Sequence, residues 1–238
     1  MSSDGVVRID FHVHTNRSPE GISGLAETIA RAKIIGLDGI AVTDHNRLLT
    51  RRIAAEISKI HNFLVIGGIE GGDLVRHKSR QSNAHRHWIG LNIDEPPSGG
   101  DVQEIVESIR EEGGLSIAPH PYARNGFRNY GELKFDAVES LNGTRKDGEI
   151  DAKGLAKVGG TDAHAMYMLG HTWTDVYGSD GSVESILENV RRGNCVPRGS
   201  RMPLWVIARF YAAVLGRYLF DEPCELLQRG SGPLRKYC

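Results

Sequence analysis

At 238 residues, with 39% hydrophobic and 25% charged, the chain is long enough for one large α/β domain or two small ones, and its balance excludes a disordered or fibrous polymer. A formal net charge of −1 gives no overall pull toward nucleic acid or an anionic membrane. Three late, irregularly spaced cysteines, Cys195, Cys224 and Cys238, exclude a disulfide framework and a zinc ribbon. Met1 to Val7 lacks a basic segment followed by a long apolar run, so the expected location is the cytoplasm.

Val6 to His14 reads as a first strand. Leu25, Ile29, Ala32 and Ile35 then recur at helical spacing, and Gly36 and Gly39 stop the helix. Gly39 to His45 is an apolar run ending in polar residues. Leu49, Ile53, Ile57 and Ile60 mark the next helix, and Phe63 to Glu70 the third strand. A polar loop from Gly71 to Ala84 precedes a strand from Trp88 to Ile93. Asp101 and Glu104 stand at capping-box spacing before a helix carrying Val102, Ile105, Val106 and Ile109. Leu115 to His120 and Phe135 to Leu141 follow as strands, then a short helix near Asp151 to Ala156 and a strand from Val158 to Asp162. Ser182 caps a helix with Val183, Ile186, Leu187 and Val190, closed by Gly193.

Strands alternate with helices and no linker divides the chain, which predicts parallel β/α units in one barrel. The expected organisation is a barrel over 1–200 and a C-terminal helix and tail over 201–238. Within Met202 to Phe220, Leu204, Ile207, Tyr211, Val214 and Tyr218 share a face, while Arg209 and Arg217 make a poor membrane span. That segment reads as a helix packed on the barrel, with a dimer contact or membrane-surface helix as alternatives. Glu222 to Cys238 reads as a loose tail.

The chemistry-bearing residues fall at strand ends. The first strand gives His12 and His14, which share a face because strand side chains alternate, and Glu20 lies in the loop behind them. The second gives Asp44 and His45, the third Glu70. The fourth begins with His85 and His87, the fifth ends in His120, and the seventh gives Asp162 and His164. In a parallel barrel the C-terminal strand ends meet on one face, so these imidazoles and carboxylates would gather in one cup suited to divalent metal.

The ordered set Asp10-Phe-His-Val-His-Thr15, Ser18-Pro-Glu-Gly21, Val42-Thr-Asp-His-Asn46, Gly68-Ile-Glu70, His87-Trp-Ile-Gly-Leu91, Ala118-Pro-His-Pro121 and Gly159-Gly-Thr-Asp-Ala-His164 resembles the PHP (polymerase and histidinol phosphatase) domain family, over about Val6 to Pro197. The resemblance implies a distorted (β/α)7 TIM-like barrel, here with a C-terminal helical extension, and two to three divalent ions such as Zn, Mn or Fe. By motif, His12, His14, Glu70 and Asp162 would hold one ion. Glu20, His45 and His120 would hold a second, and a bridging Glu70 with His87 and His164 a third. Asp44 reads as a group that orients a histidine. Glu20 departs from the Asp or His of many relatives, which counts against histidinol phosphatase activity. The His-Trp-Ile-Gly-Leu context selects His87 over His85. His61, His77 and His171 receive no role.

The implied activity is hydrolysis of a phosphoester of a small metabolite or nucleotide by attack of a metal-bridging hydroxide, with Asp162 and Glu70 acting through the metal centre. Nucleic acid enters only as a substrate. Arg124 and Arg128, after His120, are the expected grips on phosphate oxygens, and Asn142 a hydrogen-bonding group for substrate. Relatives acting on nucleoside bisphosphates and short RNA ends often insert a helical subdomain after the Gly-x-Glu strand, where this chain has only the stretch from Gly71 to Ala84. Two other readings compete. A metal-dependent amidohydrolase would add a bridging lysine, and no lysine stands at a strand terminus. A non-catalytic, metal-stabilised accessory module would not require every ligand.

Overall fold

The computed structural model describes residues 5–72, 86–145 and 150–220. His77, His85 and nearly all of the loop from Gly71 to Ala84 lie outside the described residues, as does the tail from Glu222. The element order is β1 (Val6–Val13), α1 (Leu25–Ile34), β2 (Gly39–Val42), α2 (Arg51–His61), β3 (Leu64–Gly71), β4 (Trp88–Leu91), α3 (Val102–Glu111), β5 (Leu115–Ala118), β6 (Ala137–Asn142), β7 (Ala156–Gly160), β8 (Thr172–Tyr177), α4 (Val183–Arg191), β9 (Cys195–Gly199) and α5 (Leu204–Phe220). The short helix expected near Asp151 to Ala156 is a turn that leads directly into β7.

Helix ends follow their side chains. Thr50 caps α2 and Ser182 caps α4, each accepting from a backbone N–H one turn in. Asp101 accepts from the N–H groups of Gln103 and Glu104. The Glu104 carboxylate reaches back to Gly100 N rather than to Asp101, so the reciprocal bond of the expected capping box is displaced by one residue.

The strands form one sheet in the order β7-β6-β5-β4-β3-β2-β1-β8-β9. β1, β2 and β3 run parallel, as do β5, β6 and β7. The expectation of uniformly parallel units fails at β4, which runs antiparallel to both β3 and β5. β8 and β9 are absent from the sequence-based assignment; β8 runs antiparallel to β1, and β9 antiparallel to β8. The sheet curls into a nearly closed barrel. Near its top, β1 meets the end of β7, with Asp162 N donating to His12 O at 2.9 Å and His14 N to Ala163 O at 2.8 Å.

Three apolar clusters stabilise this barrel. Ile9, Phe11, Ala41, Ile66, Ile89, Ile117 and Val158 pack together with Ile186, Leu187 and Val190 of α4. Leu25 and Ile29 of α1 and Ala54 and Ile57 of α2 pack with Val206 and Phe210 of α5. Val102, Val106 and Ile109 of α3 join Phe127, Tyr130 and Phe135. Burying such side chains contributes about 1.5–3 kcal/mol each, so α5 is tied to the same apolar cluster as α1 and α2.

Two bulges set the site. Between Asp10 and Val13, β1 advances three residues while β2 advances two. Between Glu139 and Leu141, β6 advances two while β7 advances one. An extra residue in one strand re-aims the side chains beside it.

Candidate metal centre

Glu70, 1% exposed at the end of β3, is the hub. Its Oε1 lies 2.7 Å from His87 Nδ1 and 3.1 Å from His120 Nε2. Its Oε2 lies 3.1 Å from His45 Nδ1, 3.2 Å from His14 Nε2 and 3.4 Å from His12 Nε2. Asp162 Oδ1 stands 3.5 Å from His14 Nε2 and 3.6 Å from His12 Nε2. The His164 ring stacks on His14, centroids 4.1 Å apart. The antiparallel turn of β4 explains His87. Trp88 pairs with Gly71 and Ile89 with Glu70, so the start of β4 lies at the same face as the end of β3.

Hydrogen bonds behind the ring fix which nitrogen faces inward. Asp44, fully buried, accepts from Thr15 N, Thr15 Oγ1 and Ser18 Oγ at 2.7, 2.8 and 2.9 Å. Ser18 has one proton, which goes to Asp44; its oxygen then accepts from His45 N at 3.0 Å and from His14 Nδ1 at 3.1 Å. His14 therefore carries a proton on Nδ1 and turns Nε2 to the centre. Glu139 does the same for His12, its Oε1 lying 3.1 Å from Nδ1. His164 donates from Nδ1 to the carbonyl of Asp162 at 3.1 Å.

The inward result is a cluster rich in lone pairs. Nε2 of His12 and Nε2 of His14 face each other at 3.1 Å. Among the described residues, His120 Nδ1 and His164 Nε2 are buried with no hydrogen-bond partner, and Glu70 Oε2 meets imidazole nitrogens of His45, His14 and His12 without an aligned hydrogen bond. Leaving such groups unsatisfied is costly, and a cation accepts from all of them. Among the described residues, three sets could hold an ion, their donor atoms within 4.8 Å of one another: His14, His45 and His164; His12, His14 and Glu70; His45, Glu70 and His87. The donor chemistry, imidazole with carboxylate, fits Zn, Mn or Fe.

Charge and burial agree with that reading. Burial raises the Glu70 carboxyl, but the imidazoles of His12 and His87 outweigh it and hold it well below the usual range. Asp162 is likewise held low, burial being outweighed by His12, His14 and His164. Burial pushes His45 down to about 4 and His164 to about 3. For His14, burial is overcome by Asp162 and Glu70, which take it up to about 9, so without a cation Nε2 holds a proton between those carboxylates that a metal ion would displace. Behind β1, burial takes Asp10 up to about 7 while Thr161 and His12 N hydrogen-bond to it.

The expected site residues sort by position. His12, His14, His45, Glu70, His87, His120, Asp162 and His164 converge. Of the motif-based sets, His12, His14 and Glu70 lie together and Glu70 lies beside His87; His120 also approaches the Glu70 oxygen next to His87, and His45 stands with His14 and His164. Glu20 is exposed on the lining of the cavity above the ring, which measures about 250 Å³. Arg124 and Arg128 are exposed and outside that lining, because the loop after His120 turns Asn125 inward instead. Asn142 is buried and committed. Its Nδ2 donates to Glu139 at 2.9 Å, and its Oδ1 accepts from the backbone N–H groups of Thr144 and Arg145. His61 lies in the last turn of α2 and His171 lies outside the ring. Sequence reasoning missed Glu139, Ser18, Asn125, Thr144 and Arg145. A carboxylate inside an apolar strand was the one available signal, for Glu139.

Comparison with known proteins decides the family. The PHP domain model matches residues 10–119, and the PHP-associated model matches 149–195. The chain belongs to the PHP domain family. An uncharacterized protein of Methanocaldococcus jannaschii is 30% identical over 167 residues, 64% of this chain and 91% of the relative. A second uncharacterized protein of that organism is 26% identical over 188 residues, 70% of this chain and 69% of its own length. A two-domain protein from Bacteroides vulgatus, described as containing a predicted PHP-like metal-dependent phosphoesterase, superposes with TM-score 0.62 at 17% identity, covering 87% of this chain and 69% of that one. PsfC from Pseudomonas syringae gives 0.59 at 13% identity, covering 89% and 99%. Endonuclease Q, in complex with a 27-mer duplex bearing an abasic lesion, gives 0.55 at 14%, covering 79% and 57%. At these identities the three solved structures share the fold.

Proposed function

We propose that the protein is a metal-dependent phosphoesterase, hydrolysing a small phosphorylated metabolite or a nucleotide. The observation that carries this is the set of inward-facing ligand atoms: the Nε2 atoms of His12 and His14, 3.1 Å apart, beside the Glu70 carboxylate. His12, His14, His45, Glu70, His87, His120, Asp162 and His164 would hold two to three divalent ions, with Glu20 completing the set from the cavity rim. Such ions draw charge off phosphoryl oxygens and lower the pKa of water.

The chain's own residues do the rest. Glu139 and Ser18 keep the protons of His12 and His14 on Nδ1, so both rings present Nε2. Asn142 ties Glu139 to the loop of Thr144 and Arg145, and Thr144 Oγ1 donates to Asp162 Oδ2 at 3.0 Å. Arg145 lines the cavity and takes the phosphate-gripping role that sequence reasoning gave to Arg124 and Arg128. Among the described residues no lysine lines the cavity, which favours this reading over an amidohydrolase.

The test is turnover by metal-reconstituted protein of p-nitrophenyl phosphate, bis-p-nitrophenyl phosphate and 3′,5′-bisphosphates. His12→Ala and Asp162→Ala should each lower kcat by about 100-fold or more, the scale on which removing a charge-stabilising group acts. Variants as fast as the natural protein, or a metal-loaded protein inert toward every phosphoester, would overturn the reading.

A further inference from the structure

The cavity has two chemistries. Its floor is the polar ring around Glu70, but Met168, Ile207, Phe210 and Tyr211 line another part of it. Three of these four belong to α5 at spacing i, i+3, i+4, so one face of that helix forms a continuous apolar side. A metal site alone does not require such a side.

The helix is fixed in that position. Val206 and Phe210 are buried in the cluster that holds Ala163, Ala165 and Met168 around the last site strand. Met202 N donates to Gly143 O at 2.7 Å, and Arg217 reaches Gly21 O at 2.7 Å. The Arg209 guanidinium lies 4.1 Å from the Tyr167 ring centroid. The Phe210 ring stands 5.6 Å from His164 and 5.4 Å from Tyr211. Tyr211 is 65% exposed and still lines the cavity, so it stands where the pocket opens to solvent.

Resting on the phosphoesterase reading, we propose that α5 selects phosphoesters carrying a planar aromatic ring, the base of a nucleotide, with Tyr211 as the platform for that ring. A phosphate seated at the ionic floor projects its ester group along the α5 side. A polyol there loses water to apolar carbon without replacement contacts. A base recovers that loss by stacking, whichever base it is, because every base offers a π-face.

The test compares kcat/KM for adenosine 5′-monophosphate and for glycerol 1-phosphate with the full chain reconstituted with manganese. Tyr211→Ala should lower the value for the nucleotide about tenfold and leave glycerol phosphate within about twofold, the range expected for one lost stack. Tyr211→Phe should keep the natural ratio. Trp205→Ala, an exposed α5 aromatic outside the cavity, should change neither value. Equal losses on both substrates, or none on the nucleotide, would overturn the proposal. If the natural protein hydrolyses neither ester, the phosphoesterase reading fails by itself, and calorimetric affinities for the same two compounds decide. A nucleotide preference that falls with Tyr211→Ala supports the platform, and equal affinities in both proteins overturn it.

Discussion

Glu139 governs the site without facing substrate. One oxygen meets His12 Nδ1, and the other accepts from His120 N at 2.8 Å and from Asn142. Glu139→Ala strips an acceptor from three buried donors and frees the His12 ring to turn. Metal affinity should fall about 10–100-fold, as for other partners of a ligating histidine, with far-UV circular dichroism unchanged; calorimetric titration with manganese reads it, and an unchanged affinity contradicts the role. The backbone at the site is strained too, with φ of 28° at His120 and 53° at Asp162, a cost that persists where surrounding contacts hold it. Cys195 behaves oppositely. Burial pushes its thiol up to about 11, so the native chain keeps a proton that an unfolded thiol releases near 9. In a Cys224→Ser/Cys238→Ser background, iodoacetamide should react slowly through pH 9 and accelerate toward 11, whereas urea should shift that rise down by about two pH units; a native midpoint near 9 contradicts the burial.

At the scale of elements, Gly160 of β7 lies close against β1 beside the site. A Cβ there would stand 2.4 Å from His12 Cβ and 2.8 Å from Glu139 Oε1. Gly160→Ala should therefore destabilise the fold by about 1–3 kcal/mol, the cost of overpacking, and weaken metal binding with it; urea denaturation measures the first, and an unaltered midpoint contradicts the closure described. The converging ligands were legible because each is a metal-binding residue type at the end of an apolar run. Glu139 was not, because the bulge at Ser140 lets residues 139 and 142 turn inward together, which strict alternation forbids. β8 escaped because two of its three buried positions are Thr172 and Thr174, and β9 because it carries Pro197, which an end strand tolerates. Arg145 could not be preferred to Arg124 and Arg128, since a loop's direction is set by distant contacts such as Asn142 Oδ1.

At the scale of the whole molecule, residues separated by 150 positions in sequence share one centre: Asp10 reaches Thr161, and His12 reaches Asp162. Among the described residues, nine strands and the helices around them position that ring, and α5 covers part of its mouth. Among the described residues no helix is long and apolar enough to cross a membrane. The account stands on cations occupying the space between those side chains. An anomalous-difference map from crystals grown with manganese should show peaks about 2.0–2.3 Å from imidazole nitrogens and carboxylate oxygens of the ring, including His12, His14, Glu70 and Asp162. A map with no peak inside the ring, or with manganese only elsewhere on the molecule, would contradict it.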